Sequence, residues 1–335
     1  MGIGRIAAVQ ADNMKLIIQI PCFNEAEALP ITLNDLPREV PGFSSVEWLV
    51  INDGSTDNTE EVARNNGVDH IVSLTNNQGL ARAFLAGLDS CVKLGADVIV
   101  NTDADNQYMA ADIPALVVPI LAGRADVVIG ARPIDGIKSF SLAKKMLQKA
   151  GSSVVRFVSK TDIPDAPSGF RAMTREAAMR FNVFNDYTYT LETIIQAGQK
   201  GMAITSVPIR VNGELRPSRL VKSIPSYVRK SLVTIVRIFV VYKAFRFFLS
   251  VGLTLFSLGL IGGIRYLCYY FSGDSAGHVQ SLILASILLG VGFQTMLTAF
   301  LADLLAVNRR LMEDVQYRVK KLEFSETVEG LKVKN

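Results

Sequence analysis

Leu49-Val50-Ile51-Asn52-Asp53-Gly54-Ser55-Thr56-Asp57 and Val98-Ile99-Val100-Asn101-Thr102-Asp103-Ala104-Asp105-Asn106-Gln107 decide the reading of this chain. Each is an apolar run that ends in an acidic cluster. In an open α/β sheet, ligands sit outside the carboxyl ends of the strands, so both clusters are expected to face one crevice. The second cluster places Asp103 and Asp105 at i and i+2, with the Gln107 amide oxygen two residues further on. Two such carboxylates repel each other unless something cationic compensates. Hard oxygen donors at this spacing suit Mg²⁺ or Mn²⁺ held by a few carboxylates together with substrate phosphates. A cation there would neutralise a leaving nucleotide diphosphate, which points to transfer of an activated group.

Working outward, short apolar runs alternate with helical patterns. Strands are expected over Lys15–Ile20, Val46–Ile51, His70–Leu74, Ala96–Thr102, Asp126–Gly130 and Ala203–Val211. Helices are expected over Glu25–Leu36, from a Ser55 or Thr56 cap to Asn66, and over Gly79–Leu94, Asp112–Ala122, Ser139–Ser159 and Thr188–Lys200. This alternation implies an α/β fold with a mainly parallel, Rossmann-like sheet and crossover helices. The Ser139–Ser159 helix carries Lys144, Lys145, Lys149 and Arg156 among apolar residues. Such a helix fits either a membrane surface or a solvated face over the core.

The chain has 335 residues and a net charge of +4, and its apolar excess lies between Phe239 and Leu305. Two segments there, 247–270 and 279–305, can each cross a hydrocarbon core of roughly 30 Å at about 1.5 Å rise per residue. The connector Ser272–His278 holds no Lys or Arg, whereas Lys243 and Arg246 precede the first span and Arg309 and Arg310 follow the second. The positive-inside rule then puts the globular domain and both termini in the cytoplasm of a multi-pass membrane protein. The expected organisation is a lead-in at 1–13, a catalytic domain at 14–220, an amphipathic juxtamembrane segment at 221–246, the two spans, and a tail at 306–335. Gly252, Gly259, Gly262 and Gly263 leave room for close helix contacts, and a homo-oligomer is expected. Cys22, Cys91 and Cys268 lie far apart and there are two histidines, so no zinc or disulfide framework is built from them. Basic clusters beside apolar segments favour anionic lipid or phosphorylated substrate over nucleic acid.

Pro21-Cys22-Phe23-Asn24-Glu25, Asn52–Asp57, Asp103–Gln107 and Ser168-Gly169-Phe170-Arg171 follow one another in order. Together they resemble the family-2 glycosyltransferases of the GT-A fold, and within these the polyisoprenyl-phosphate glycosyltransferases of the dolichol-phosphate mannose synthase and bactoprenol glucosyltransferase type. The resemblance covers roughly Lys15 to Leu220 plus the two-span tail. It implies a nucleotide-sugar donor, a polyprenyl phosphate acceptor and inversion at the anomeric carbon. It also implies donor contacts from Pro21, Glu25, Asp53, Asp103, Arg132 and Arg171, and a metal held by Asp105 and Gln107. UDP-glucose is the first donor expected and GDP-mannose or another nucleotide sugar the second.

Such a transfer needs leaving-group stabilisation more than a strong base. A lipid monophosphate is already an anion near neutral pH and must be held in line by cations. Arg219 is the first expectation for that contact, ahead of Arg132 and Arg171, with Lys138, Arg210, Arg216 and Lys222 also in view. If a base acts, Asp165 and Glu192 are the candidates. A processive synthase would carry Gln-x-x-Arg-Trp, and the single tryptophan, Trp48, sits on a strand. A catalytically silent membrane scaffold would not need both acidic clusters, and a nucleotidyltransferase would not explain Ser168–Arg171.

Overall fold

The computed structural model describes residues 14–133, 142–183, 189–213, 233, 237, 240–273 and 279–332. The chain divides into two units, one of residues 1–229 with 316–335 and the other of 230–315.

The first unit is built on strands β1 (Lys15–Cys22), β2 (Ser45–Asn52), β3 (His70–Ser73), β4 (Val98–Asn101), β5 (Val127–Ala131), β6 (Arg171–Thr174) and β7 (Ile204–Pro208). Their order in the sheet is β3-β2-β1-β4-β6-β5-β7. All pairings are parallel except those of β6, which runs antiparallel to both β4 and β5. The chain winds outward through β1, β2 and β3, then returns to place β4 on the other side of β1. The strand order therefore switches beside the ends of β1 and β4, where such folds open a crevice.

Between the strands come α1 (Leu29–Asp35), α2 (Thr59–Asn65), α3 (Leu80–Lys93), α4 (Ile113–Leu121), α5 (Leu142–Ser159), α6 (Arg175–Arg180) and α7 (Thr190–Gln199). Burial of β1, β2 and β4 on both faces explains their continuous apolar runs, since helices cover both sides of a parallel sheet. Pro30 lies in the first turn of α1, where a proline costs no hydrogen bond.

Two expectations differ in detail. Helix α2 starts at Thr59 and not at a Ser55 or Thr56 cap. Those hydroxyl residues instead hold the turn after β1: Asn24 N donates to Ser55 Oγ at 3.0 Å, and Thr56 N donates to Asn24 Oδ1 at 2.8 Å. The last strand ends at Pro208, short of Val211, because Arg210 turns away to meet Asp112.

The second unit holds α8 (Ala244–Phe271) and the first part of α9 (Val279–Lys332). Both are long and apolar enough to cross a membrane. Gly252 and Gly259 lie where a Cβ would come within 2.8 Å of Met296 N and of Leu289 N. That close approach joins α8 to α9, whereas a Cβ on Gly263 would have nothing within 4 Å. Helix α9 continues to Lys332, past the residue 305 at which the second span is expected to end.

Candidate active site

The turn after β1 and the two acidic clusters meet at the carboxyl ends of neighbouring strands. Burial pushes the Cys22 thiol pKa well up, and the charges of Glu25, Asp57 and Asp103 push it further, so three acidic side chains surround the end of β1. Asp57 ties the turn down, accepting from Ala26 N at 3.2 Å and Thr59 N at 3.1 Å. Glu25 N donates to Thr59 Oγ1 at 2.9 Å, leaving the Glu25 side chain half-buried beside Cys22. Pro21 is buried in register with Ile51.

Asp53 directly follows β2 and is buried. Its Oδ1 accepts from Gln78 N at 2.8 Å and its Oδ2 from Gly79 N at 2.9 Å, so the carboxylate secures the approach to α3. Gly54 next to it has φ +66°, and a Cβ there would lie 2.4 Å from the Asn76 carbonyl carbon. Only glycine fits that close approach.

The second cluster rests on a buried polar network under the sheet's end. Gln19 Nε2 donates to Asn101 Oδ1 at 2.9 Å, and Asn101 Nδ2 donates to Gly169 O and to the Tyr189 hydroxyl, each at 2.9 Å. Gly169 N donates to the Tyr108 hydroxyl at 2.9 Å, and Tyr108 in turn hydrogen-bonds Asp103. A Cβ on Gly169 would stand 3.0 Å from both Asp103 carboxylate oxygens and 3.1 Å from the Tyr189 hydroxyl, so the Ser168–Arg171 loop lies against this carboxylate. Desolvation and the adjacent Asp105 charge raise the Asp103 pKa to about 7, although Arg132, Tyr108 and Arg171 pull the other way. Asp105 and Gln107 are half-buried, and Gln107 N donates to Asp105 Oδ1 at 3.2 Å.

The arginines divide by what they touch. Arg132, just past β5, donates from Nε to Asp165 Oδ2 at 2.7 Å, from Nη2 to Oδ1 at 3.0 Å, and from its backbone N to Oδ2 at 3.1 Å. The two side chains are 7% and 1% exposed. Asp165, expected as a base candidate, is thereby engaged through both oxygens. Arg171 is fully buried, donating to Thr193 Oγ1 at 2.6 Å and to the Ser168 carbonyl, with its guanidinium 5.2 Å from the Tyr189 ring centroid. Burial lowers its pKa. Arg210 forms a two-nitrogen pair with Asp112 at 3.0 and 2.6 Å, which pins the segment after β7 to the start of α4. Glu192 is buried on α7. Arg219, Lys138, Arg216 and Lys222 lie outside the described residues.

Sequence reasoning missed Gln19, Asn101, Tyr108 and Tyr189. The signal for the first two was a polar residue inside a fully apolar strand, since a buried amide persists only with partners. The tyrosines gave no such signal, for their partners come from loops distant in sequence.

A strand-order switch lined by acidic clusters, with an antiparallel strand inserted beside β4, defines a glycosyltransferase domain of GT-A architecture. The glycosyl transferase family 2 model matches residues 17–181, and the chain belongs to that family. It is 29% identical over 218 residues to an undecaprenyl-phosphate mannosyltransferase of Micrococcus luteus, covering 62% of this chain and 88% of the relative. It is 28% identical over 310 residues to the glycosyltransferase AglJ of Haloferax volcanii, covering 89% of this chain and 96% of the relative. The fold is shared with the glucosyl-3-phosphoglycerate synthase of Mycobacterium tuberculosis, solved with Mn²⁺, uridine diphosphate and glucosyl-3-phosphoglycerate. That likeness has a TM-score of 0.52 at 21% identity, over 70% of this chain and 84% of that one.

Proposed function

We propose that this glycosyltransferase moves a sugar from a nucleotide diphosphate onto a polyprenyl phosphate at the cytoplasmic face of a membrane. The observation that carries the reading is the pairing of this acidic site with two membrane-length helices in one chain. The name of the Micrococcus relative supports the acceptor.

Asp103, Asp105 and Gln107 present hard oxygen donors, and Asp103 is desolvated next to a second carboxylate, an arrangement that fits a divalent cation. Bound there, Mg²⁺ or Mn²⁺ would supply charge neutralisation for the departing nucleoside diphosphate. Glu25 and Asp53 fix the two loops against which the nucleotide base and ribose would lie. Arg132, set rigidly by Asp165, adds positive charge near Asp103 and the leaving group. Arg171 acts on the site through the Ser168–Gly169 backbone, which it ties down from inside.

The lipid phosphate oxygen attacks the anomeric carbon as the bond from that carbon to the diphosphate breaks, with inversion. Because the nucleophile is already ionised, no group needs to remove a proton. Arg219, by its place in the sequence just before the spans, is assigned to the acceptor phosphate. UDP-glucose is the first donor to test. GDP-mannose is the second reading, favoured by the mannosyl relative.

The test is transfer from a panel of labelled nucleotide sugars to polyprenyl phosphate and to the matching polyprenol. Transfer to the phosphate alone is expected. Arg219→Ala should weaken acceptor use by roughly 1.5–3 kcal/mol, the worth of one charge-assisted hydrogen bond. Equal use of the alcohol would refute the pre-ionised nucleophile.

A further inference from the structure

From Leu142 to Lys160, along α5 and the residue that ends it, the sequence holds Lys144, Lys145, Lys149, Arg156 and Lys160 and no Asp or Glu. One side of this helix is fixed to the catalytic unit. Ser152, Val155, Val158 and Ser159 are buried, and the Ser152 hydroxyl accepts from Ala166 N at 3.3 Å. Helix α7 crosses so closely that a Cβ on Gly198 would collide with the Ser159 carbonyl oxygen. At about 100° per residue, Met146, Lys149, Ser153, Phe157 and Lys160 fall within roughly 80° of one another on the opposite side. All of these are exposed. Met146 and Phe157 are 74% and 67% exposed, more than any other large apolar side chain described in residues 14–213.

A helix face turned to water mixes charges of both signs and carries few large apolar side chains. This face has bases, no acids, and two large apolar side chains among them. That is the composition of a helix lying in the plane of a bilayer interface, with apolar groups at the acyl boundary and bases at the head groups. We propose that the exposed face of α5 rests on an anionic lipid surface. Met146 and Phe157 stand about 20° apart around the helix and roughly 16 Å apart along it, so both can enter the same interface. Lys149 and Lys160 meet the lipid phosphates. Arg156 lies at the edge of the face, where Nη2 donates to Ser153 Oγ at 3.0 Å and Nη1 is 3.8 Å from Asp162 Oδ1, the carboxylate just past the helix. A soluble polyanion would match the bases but leave Met146 and Phe157 in water. A membrane is at hand, because the same chain carries two helices long and apolar enough to cross one. The contact goes beyond the transfer reaction proposed above, since it needs anionic lipid but no particular donor or acceptor.

The test uses the full chain in lipid nanodiscs, with Cys268→Ser removing the one exposed thiol among the described cysteines; Cys22 and Cys91 are buried. A fluorophore is attached in turn at Met146→Cys, Phe157→Cys, Glu61→Cys on the exposed side of α2, and Ile261→Cys on α8. Quenching by acyl-brominated lipid is read in phosphatidylcholine with and without phosphatidylglycerol. With phosphatidylglycerol, quenching at Met146→Cys and Phe157→Cys should exceed that at Glu61→Cys at least several-fold. It should drop several-fold without the anionic lipid, at an ionic strength of about 1 M, where the Debye length is about 3 Å, and when Lys149→Glu and Lys160→Glu are added. Quenching no greater than at Glu61→Cys in either lipid would overturn the proposal. So would quenching indifferent to phosphatidylglycerol, salt and both lysine substitutions, because the contact would then not be directed by charge. Ile261→Cys keeps this result apart from the reading of α8 as a span: quenching on α5 but not at Ile261→Cys would uphold the α5 contact and refute the span.

Discussion

Asp165→Asn separates a positioning carboxylate from a catalytic base. The parent Asp165 accepts three hydrogen bonds from Arg132, at 2.7, 3.0 and 3.1 Å, and both side chains are nearly excluded from water. Removing one partner of a buried ion pair leaves the other charge uncompensated, which costs about 3–5 kcal/mol. For a domain of this size each kcal/mol lowers the melting temperature by about 2–4 °C, so a fall of roughly 6–20 °C is expected. Trp48 is largely buried on β2, and its fluorescence reports the unfolding. Activity at a temperature where the variant is folded should fall as well, because Arg132 loses its fixed position beside Asp103. The double variant Arg132→Met, Asp165→Leu should regain much of the stability, since neither buried charge remains, but not the activity. If Asp165→Asn lost turnover while melting within a degree or two of the parent, the ion-pair reasoning would fail. Asp165 would then stand as a base.

EDTA should abolish transfer and Mg²⁺ or Mn²⁺ restore it, while Asp105→Asn should cut turnover by orders of magnitude with the melting temperature kept; full activity in EDTA would remove the metal assignment. Folding raises the Asp103 pKa from 3.8 to about 7, so the folded state holds this proton more tightly than the unfolded chain does. The metal-free protein should therefore lose stability as pH climbs from about 4 to about 7, and Asp103→Asn should flatten that slope in thermal melts. Gly169→Ala should lower turnover, because the added methyl stands 3.0 Å from both Asp103 oxygens, and overpacking of this kind costs about 1–3 kcal/mol; parent-like kinetics would show that the loop can yield. Cysteines engineered near Ser275 should be labelled from outside the cell and those near Arg310 should not, and the opposite pattern would overturn the orientation.

The sheet was legible because the strands of its parallel part are short, mainly apolar runs that end in turn signals. Val98–Asn101 and the carboxylates beyond it could be placed together from pattern alone. Arg171–Thr174 could not: it is short, begins with an arginine, and becomes a strand only by inserting antiparallel between β4 and β5. Propensity carries no information about such an insertion, because the pairing supplies the structure. Arg171 is harder to place from sequence. An arginine beside a substrate loop reads as a phosphate ligand; here Nη1 and Nη2 bond inside the domain to Thr193 and Ser168, while Nε is buried without a hydrogen-bond partner.

That inward arginine bears on how the site keeps its shape. Asp103 must stay close to Asp105 although the Asp105 charge disfavours ionisation of Asp103, and no strand hydrogen bond holds either residue. What fixes the loop is the chain of contacts from Gln19 through Asn101 to Gly169 and from Gly169 through Tyr108 back to Asp103. Gln19, Asn101, Gly169 and Tyr108 are buried, so breaking a link among them strands a polar group away from water at a cost of about 1–3 kcal/mol. The network therefore resists relaxation of the carboxylates apart from one another. Like charges kept close in this way form a poor resting state without a cation and a ready one with it, and rigidity inherited from β1 and β4 is what makes the difference.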